Sequence, residues 1–373
     1  MKVFAIGRGQ YENIGDIVLR RQLLDWVRPE GGLHVYLGEA PDGYEQGLRL
    51  QPEDVVYRSL KTWYAAAMRA ALAGEGSYVF KPGEIQLTLV GMKEHLSMLP
   101  LLLAIRARGG RAVRVGAGSR NFAPVPRTLM GPSIALSDLT LWRDDRTAHY
   151  MGSGGVMPDL AFGEGADDGA VRRFSGDGST RDKLVVSMRA DEDVHPCPYP
   201  TDAWIEGVRA YAAAQGLEIW AVTQVQVDDE RTRRLAADLG GRALTWAEVS
   251  GHDEQEARLR ALYRSTAIAL SDRLHVIIAA FTEGAVPVGS MVDGTDKVDR
   301  HFRTIGIDGV ALTTRGMSAA DLVGALERLA ARRPELFERL LDARRRLDRS
   351  RALVRRVLTP GAEAARLTDP LPS

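Results

Sequence analysis

A chain of 373 residues is too long for one ordinary hydrophobic core, so two domains are expected. Its 49 Lys+Arg balance 49 Asp+Glu, so no global field draws it to nucleic acid, and it carries no zinc-finger or RNA-binding motif. Its 45% hydrophobic and 26% charged residues fit a globular protein, one cysteine excludes an internal disulfide, and the longest apolar run, LSMLPLLLAI, is too short to span a bilayer.

MKVFAIG is too short for a signal peptide, and the sequence predicts a cytoplasmic protein. KVFAIG (2–7) predicts a strand, IVLRRQLLDWV (17–27) an amphipathic helix and LHVYLG (33–38) a second strand. Strands at 54–57, 77–81 and 111–118 follow, with helices at 61–73 and 94–108, while 40–60 and 119–135 show no readable pattern. Gly, Asp and Ser dominate the stretch up to 182, which reads as a linker at 166–182 between a domain at 1–165 and one at 183–316. The alternation restarts with strands at 183–189, 217–223, 267–270 and 286–291 and helices at 201–215, 229–239, 253–264 and 272–282. Such alternation implies mostly parallel sheets with crossover helices, and two such domains facing each other across a cleft are expected.

Residues 317–373 form the C-terminal part, expected as helices and a tail. Ser318 and Asp321 make a capping-box-like start to a helix ending near Arg332, and Pro334 opens another to about Leu358. Between 332 and 356 stand ten Arg against four Asp+Glu. That surplus suits a solvated face or weak attraction to anionic lipid, so membrane contact is at most peripheral.

In an open parallel sheet, ligands bind beyond the carboxyl ends of the strands. AIAL (267–270) places Ser271, Asp272, Arg273 and His275 at such an edge. Ser271 or Asp272 can cap the next helix, Arg273 offers a planar fork for phosphate or carboxylate, and His275 titrates near neutrality. An anion site with a proton donor fits this arrangement. The alternative is an Arg273 paired with Asp272 or a neighbouring acid and a His275 satisfied in the core. Arg189 emerges at the same edge from KLVVSMR. Asp191, Glu192, Asp193 and His195 follow it, and their spacing suits a solvated loop better than a metal site. No HExxH or paired CxxC supports zinc.

GRGQYENIGD is not a dinucleotide fingerprint, because Glu12 stands where a third Gly belongs. Asn13, Gly15 and Asp16 suit a tight turn and helix cap, at a strand end that also places Asn13 and Asp16 near a cleft. In FKPGEIQL, Lys81 and Glu84 bracket a Pro-Gly turn whose chemistry does not require either charge.

Taken together, YENIGDIVLRRQLL, LWRDDRT (141–147), MPDLAF (157–162), VVSMR and SDRLHVIIAAFTEGAVPVGSM with DKVDRHFRTIGI resemble, in order and spacing, the polysaccharide pyruvyl transferase family over about residues 1–310. The resemblance implies two Rossmann-like domains in a GT-B-like arrangement. It also implies transfer of the enolpyruvyl group of phosphoenolpyruvate onto two hydroxyls of a sugar or glycan as a cyclic ketal, with release of phosphate; separately, the sequence leads us to expect no cofactor and no metal. The resemblance assigns phosphoenolpyruvate to Arg189 and Arg273, with Lys297 a third cation. His275 is the expected proton-transfer residue, because an imidazole can titrate near the working pH. Asp16 or Glu84 is the base, and Asn13 and Lys81 stand on the acceptor side. Where the family has a glycine triplet this chain has KPGE, which predicts an altered acceptor. Lipid-linked and nucleotide-linked acceptors are both compatible. Neither the acceptor nor the oligomeric state is readable. Two other readings stand: a GT-B-type glycosyltransferase using a nucleotide-sugar, and a non-catalytic glycan- or partner-binding relative.

Overall fold

The computed structural model describes residues 1–176, 180–190, 197–248, 251–292 and 295–359. The described residues divide into two compact units, one holding residues 1–11, 16–160 and 345–359, the other residues 12–15 and those between 161 and 344. Each is an α/β unit built on a parallel sheet, as the alternation predicts.

In the first unit the strands are β1 (Lys2–Ile6), β2 (Gly32–Tyr36), β3 (Val55–Tyr57), β4 (Gly76–Phe80), β5 (Gly83–Ile85), β6 (Ala112–Ser119), β7 (Leu139–Trp142) and β8 (Gly155–Val156). Their order is β3-β2-β1-β4-β6-β7-β8, with β5 added beside β6. In the second unit they are β9 (Lys183–Ser187), β10 (Glu218–Val222), β11 (Arg242–Leu244), β12 (Thr266–Ser271), β13 (Val286–Met291) and β14 (Ala311–Thr313), in the order β11-β10-β9-β12-β13-β14. The pairings in both sheets are parallel. Leaving β5 aside and counting from its own first strand, each sheet contains the 3-2-1-4-5-6 order of doubly wound folds. The order reverses between β1 and β4 and again between β9 and β12, and ligands bind at the carboxyl ends of such strand pairs.

The strands are short apolar runs because helices cover both faces of a parallel sheet. Phe4, Tyr78 and Phe80 pack with Trp63, Leu101, Leu102 and Ile105 from the helices Leu60–Leu72 and Leu99–Ala107. The helix expected at 94–108 is two helices, Met92–Ser97 and Leu99–Ala107. Pro100 lacks the N–H that would bond the Leu96 carbonyl, which accounts for the break. β6 shifts register between Val115 and Ala117, where Gly116 sits at φ +71°. This left-handed backbone is easy for glycine, and beyond it the strand end pairs with β5.

Several segments without readable periodicity are ordered. The helix Pro124–Ala135 forms despite an internal proline, Pro132. The segment read as a linker contains the helix Asp168–Phe174, capped by Asp167, whose side chain accepts from Ala170 N–H at 2.7 Å. The capping box at Ser318 and Asp321 forms as expected.

The arginine-rich last helix, Arg333–Leu358, uses part of its charge internally. Arg344 donates to the carbonyls of Phe162, Glu164 and Ala166 at 3.0, 2.7 and 2.6 Å and pairs with Asp168. Arg333 donates to the Gly284 carbonyl at 2.6 Å, and Arg355 pairs with Glu30. Among the described residues, no helix is long and apolar enough to cross a membrane.

Arg143 and Asp159 join the two mid-chain motifs LWRDDRT and MPDLAF inside the first unit, with Nη1 to Oδ2 at 3.0 Å and both side chains buried. Removing one member of a buried pair strands the other charge. Arg143→Met is therefore expected to lower stability by ~3–5 kcal/mol. Urea unfolding of that variant and of Arg143→Met/Asp159→Leu checks this. The double variant should recover much of the loss, and equal stability of wild type and single variant would refute a charge-pair role.

Candidate functional site

Three neighbouring strands of the second sheet, β10, β9 and β12, send their carboxyl ends to one place. β9 delivers Arg189 and Ala190, β12 delivers Asp272, Arg273 and His275, and the turn after β10 delivers Asp228. Asp272 accepts from the backbone N–H of Arg189 at 2.9 Å and from its Nε at 3.1 Å. Asp228 accepts from Ala190 N–H at 2.7 Å and from Arg273 Nη2 at 2.7 Å, and the Nε of Arg273 also donates to it. Each arginine is thus clamped to a buried carboxylate drawn from a different strand end. The Arg189–Asp272 pair crosses the β9/β12 switch itself.

Neither Ser271 nor Asp272 caps the following helix, contrary to the expectation from sequence. Ser271 Oγ accepts from Arg273 N–H at 2.9 Å and donates to the Ser187 carbonyl, tying β12 to β9. Asp272 is committed to Arg189. The helix Leu274–Thr282 begins with Arg273 at its N-cap and no side-chain cap bond. The positive end of its dipole therefore lies at the switch point.

Residues 12–15 pack in this second unit. Asn13 forms an antiparallel bridge with Val225, and its Oδ1 accepts from Gly15 N–H at 3.0 Å in a turn expected of Asn. Gly15 lies against His275: a Cβ added there would sit 2.6 Å from His275 Cβ and 2.7 Å from Nδ1. The glycine thus belongs to the histidine's packing, a role its place in a turn does not disclose.

Cys197 donates its thiol to Asp272 Oδ2 at 3.1 Å. Burial, reinforced by that carboxylate, pushes the thiol up to about 12. It is a neutral donor that helps hold Asp272, not a nucleophile. Lys297 opens the helix Lys297–Thr304 beyond β13, and its carbonyl lies 2.7 Å from Nδ1 of the buried His301, which donates to it. The cluster at 191–195 lies outside the described residues.

The other expected site residues lie in the first unit. Asp16 pairs with Arg20 at 3.2 Å and accepts from Gln10 N–H. Lys81, just beyond β4, pairs with Glu94 at 2.6 Å. Glu84 is the middle residue of β5, opposite Gly118 of β6. KPGE thus leads into a short added strand, which gives the segment a structural use. Near it Arg114 stacks 3.6 Å from the Phe80 ring centroid, donates to Ser133 Oγ at 3.1 Å and faces His95 Nδ1 at 3.4 Å. Burial, with Arg114 and Lys81 adding to it, pulls His95 down to about 3, so its ring is neutral and Nδ1 accepts.

The structure therefore brings Arg189, Arg273, His275, Asn13 and Lys297 into one unit and leaves Asp16, Lys81 and Glu84 in the other. It adds Asp228, Cys197 and Gly15. Asp228 opens the run DDERTR ahead of the helix Asp229–Leu239, where an acid reads as a helix cap, yet it makes no side-chain cap bond and binds Arg273 instead.

Gly15→Ala is expected to destabilise the protein by ~1–3 kcal/mol through overpacking and to displace the His275 ring. Urea unfolding and the His275 ring resonances check this, and unchanged stability with an unmoved resonance would contradict the contact.

No protein-family model and no curated protein matches the chain. Solved structures do match in fold. A UDP-GlcNAc 2-epimerase from Methanocaldococcus jannaschii aligns over 92% of this chain and 99% of its own, with a TM-score of 0.51 and 13% identity. An α,α-trehalose 6-phosphate synthase from Burkholderia multivorans aligns over 100% and 99%, with a TM-score of 0.50 and 12% identity. Anabaena HepE, solved in complex with UDP and glucose, aligns over 95% and 100%, with a TM-score of 0.50 and 12% identity. At these identities the likeness is one of fold, and the chain folds as two Rossmann-like α/β domains.

Proposed function

We propose that this chain is a sugar-modifying transferase that takes a phosphate-bearing donor at the carboxyl edge of β9, β10 and β12. The observation that carries this reading is the helix Leu274–Thr282, which starts at the switch point without a side-chain cap, beside two preorganised arginines. A helix N-terminus so placed favours phosphate through its dipole and first amides. The Arg273 fork engages Asp228 through Nε and Nη2, which leaves Nη1 outside that fork as a further donor.

A nucleotide-sugar is the donor this arrangement supports best. Arg189 and Arg273 are matched by Asp272 and Asp228, so the four side chains sum to no net charge. The helix end is then the main attraction for an anion, and a diphosphate diester can meet it with both of its phosphates. The shared fold agrees, since the epimerase is named for UDP-GlcNAc and the HepE structure holds UDP and glucose. In this chemistry the bond from the anomeric carbon to the diphosphate oxygen breaks, and the acceptor hydroxyl oxygen bonds that carbon and gives up its proton. The nucleoside diphosphate leaves with the electron pair, its charge stabilised by the helix end.

Pyruvyl transfer is the second reading, favoured by Arg189, Arg273 and His275 meeting in one unit as the motif resemblance implies. In it His275 protonates the methylene carbon of phosphoenolpyruvate, two sugar hydroxyls add to C2, and phosphate leaves.

Thermal denaturation with UDP, UDP-sugars, ADP-sugars and phosphoenolpyruvate separates these donors. At a hundredfold excess over the dissociation constant, a nucleoside diphosphate or its sugar should add ~2.7 kcal/mol, a rise of roughly 5–10 °C for a domain of ordinary size. The rise should shrink in Arg273→Gln. A rise with phosphoenolpyruvate alone, with phosphate released in the presence of a sugar, would replace the first reading by the second. No rise with any donor would overturn both. Under pyruvyl transfer, His275→Ala should cut turnover by ~10²–10⁴ with the fold intact.

A further inference from the structure

We propose that the segment 85–137 of the first unit forms an interfacial surface that docks on an anionic lipid bilayer. Charge is distributed unevenly in this balanced chain: residues 85–137 hold seven Lys+Arg and a single acid, Glu94. Glu94 is neutralised by Lys81. Lys93, Arg106, Arg108, Arg120 and Arg127 are exposed, whereas Arg114 is buried and Arg111 pairs with Asp138.

The same segment exposes large apolar side chains that belong to no core. Leu89, Val90, Leu96, Leu103 and Val125 are 65%, 72%, 37%, 56% and 61% exposed. Leu96, Pro100 and Leu103 are all exposed and fall at i, i+4 and i+7, one stripe across the break between the two helices. Met98, Leu101, Leu102 and Ile105 take the opposite side into the core. The helix Pro124–Ala135, which carries Val125, packs on both of these helices.

An apolar stripe fringed by cations, with no unpaired acid, fits phospholipid headgroups and the acyl boundary beneath them. A protein partner fits less well, because a rim of one lysine and four arginines would need an acidic counterpart across the whole patch. A second copy meeting this one through the same face would bring only the same basic surface to it. The turn holding Leu89 and Val90 comes four residues after β5, which pairs with the carboxyl end of β6. The surface therefore borders the edge that carries Lys81 and Glu84, an arrangement suited to a lipid-carried acceptor. The docking itself does not depend on which donor is used.

Sedimentation of the full-length protein with phosphatidylcholine vesicles, with and without about one-third phosphatidylglycerol, tests the proposal. Binding should be roughly tenfold or more tighter to the anionic vesicles and should weaken as salt rises from about 0.05 to about 0.5 M. Leu89→Ser/Val90→Ser/Leu103→Ser should lower vesicle binding by about tenfold or more with an unchanged melting temperature. Lys93→Gln/Arg106→Gln should remove much of the preference for anionic lipid. The proposal is overturned if neither vesicle sediments the protein or if the triple variant binds as well as wild type. Self-association that the triple variant abolishes, without vesicle binding, would overturn it in favour of a second copy.

Discussion

Asp228 and Asp272 sit with almost no access to solvent at the end of a parallel sheet. A buried carboxylate is tolerable only when paired and hydrogen-bonded. Asp228 meets that condition with Arg273 and the Ala190 amide, and Asp272 meets it with Arg189 and the Cys197 thiol. The turns leaving β9, β10 and β12 are thereby locked to one another, with Ser271 adding a bond from β12 to β9. In the proposed donor site, the helix end at the switch point and the arginine forks are held in place before any anion arrives. Such preorganisation lowers the cost of binding charge and of stabilising a leaving group.

The alternation of apolar strands and amphipathic helices is a local signal, and it discloses both sheets and the edge where Arg189, Arg273 and His275 meet. The partners of those residues are a different matter. Arg273 is adjacent to Asp272 in sequence, yet its fork engages Asp228, forty-five residues away. Spacing along a chain does not report which acid a fold brings across a sheet. Ser271 and Asp272 look like helix caps for the same reason, because local capping chemistry is visible and the competing long-range bonds are not. The helix Pro124–Ala135 escapes detection because its prolines mask a helical period, and β5 because its three residues, GEI, follow a proline and hold a single large apolar side chain.

Charge behaves alike. The arginine-rich last helix advertises a basic face, but Arg344, Arg333 and Arg355 hold carbonyls and an acid within the protein. Residues 85–137 carry the same surplus of six positive charges, seven Lys+Arg against one acid, spread over a longer stretch, and they keep five exposed cations next to exposed leucines and valines. The last helix also leaves Arg345, Arg349 and Arg356 exposed, so what distinguishes the two stretches is the large apolar side chains exposed beside the cations of 85–137, and only the folded chain shows those.

Hydrogen exchange read peptide by peptide, with and without a nucleotide-sugar, tests the donor site most directly. On the proposed reading, exchange in 272–278 and 187–190 should slow when donor binds, since the ligand would cover the helix end and brace the two arginine clamps. Donor-dependent protection confined to the first unit, with 272–278 exchanging as in the unliganded protein, would contradict a donor site at the β9/β12 switch.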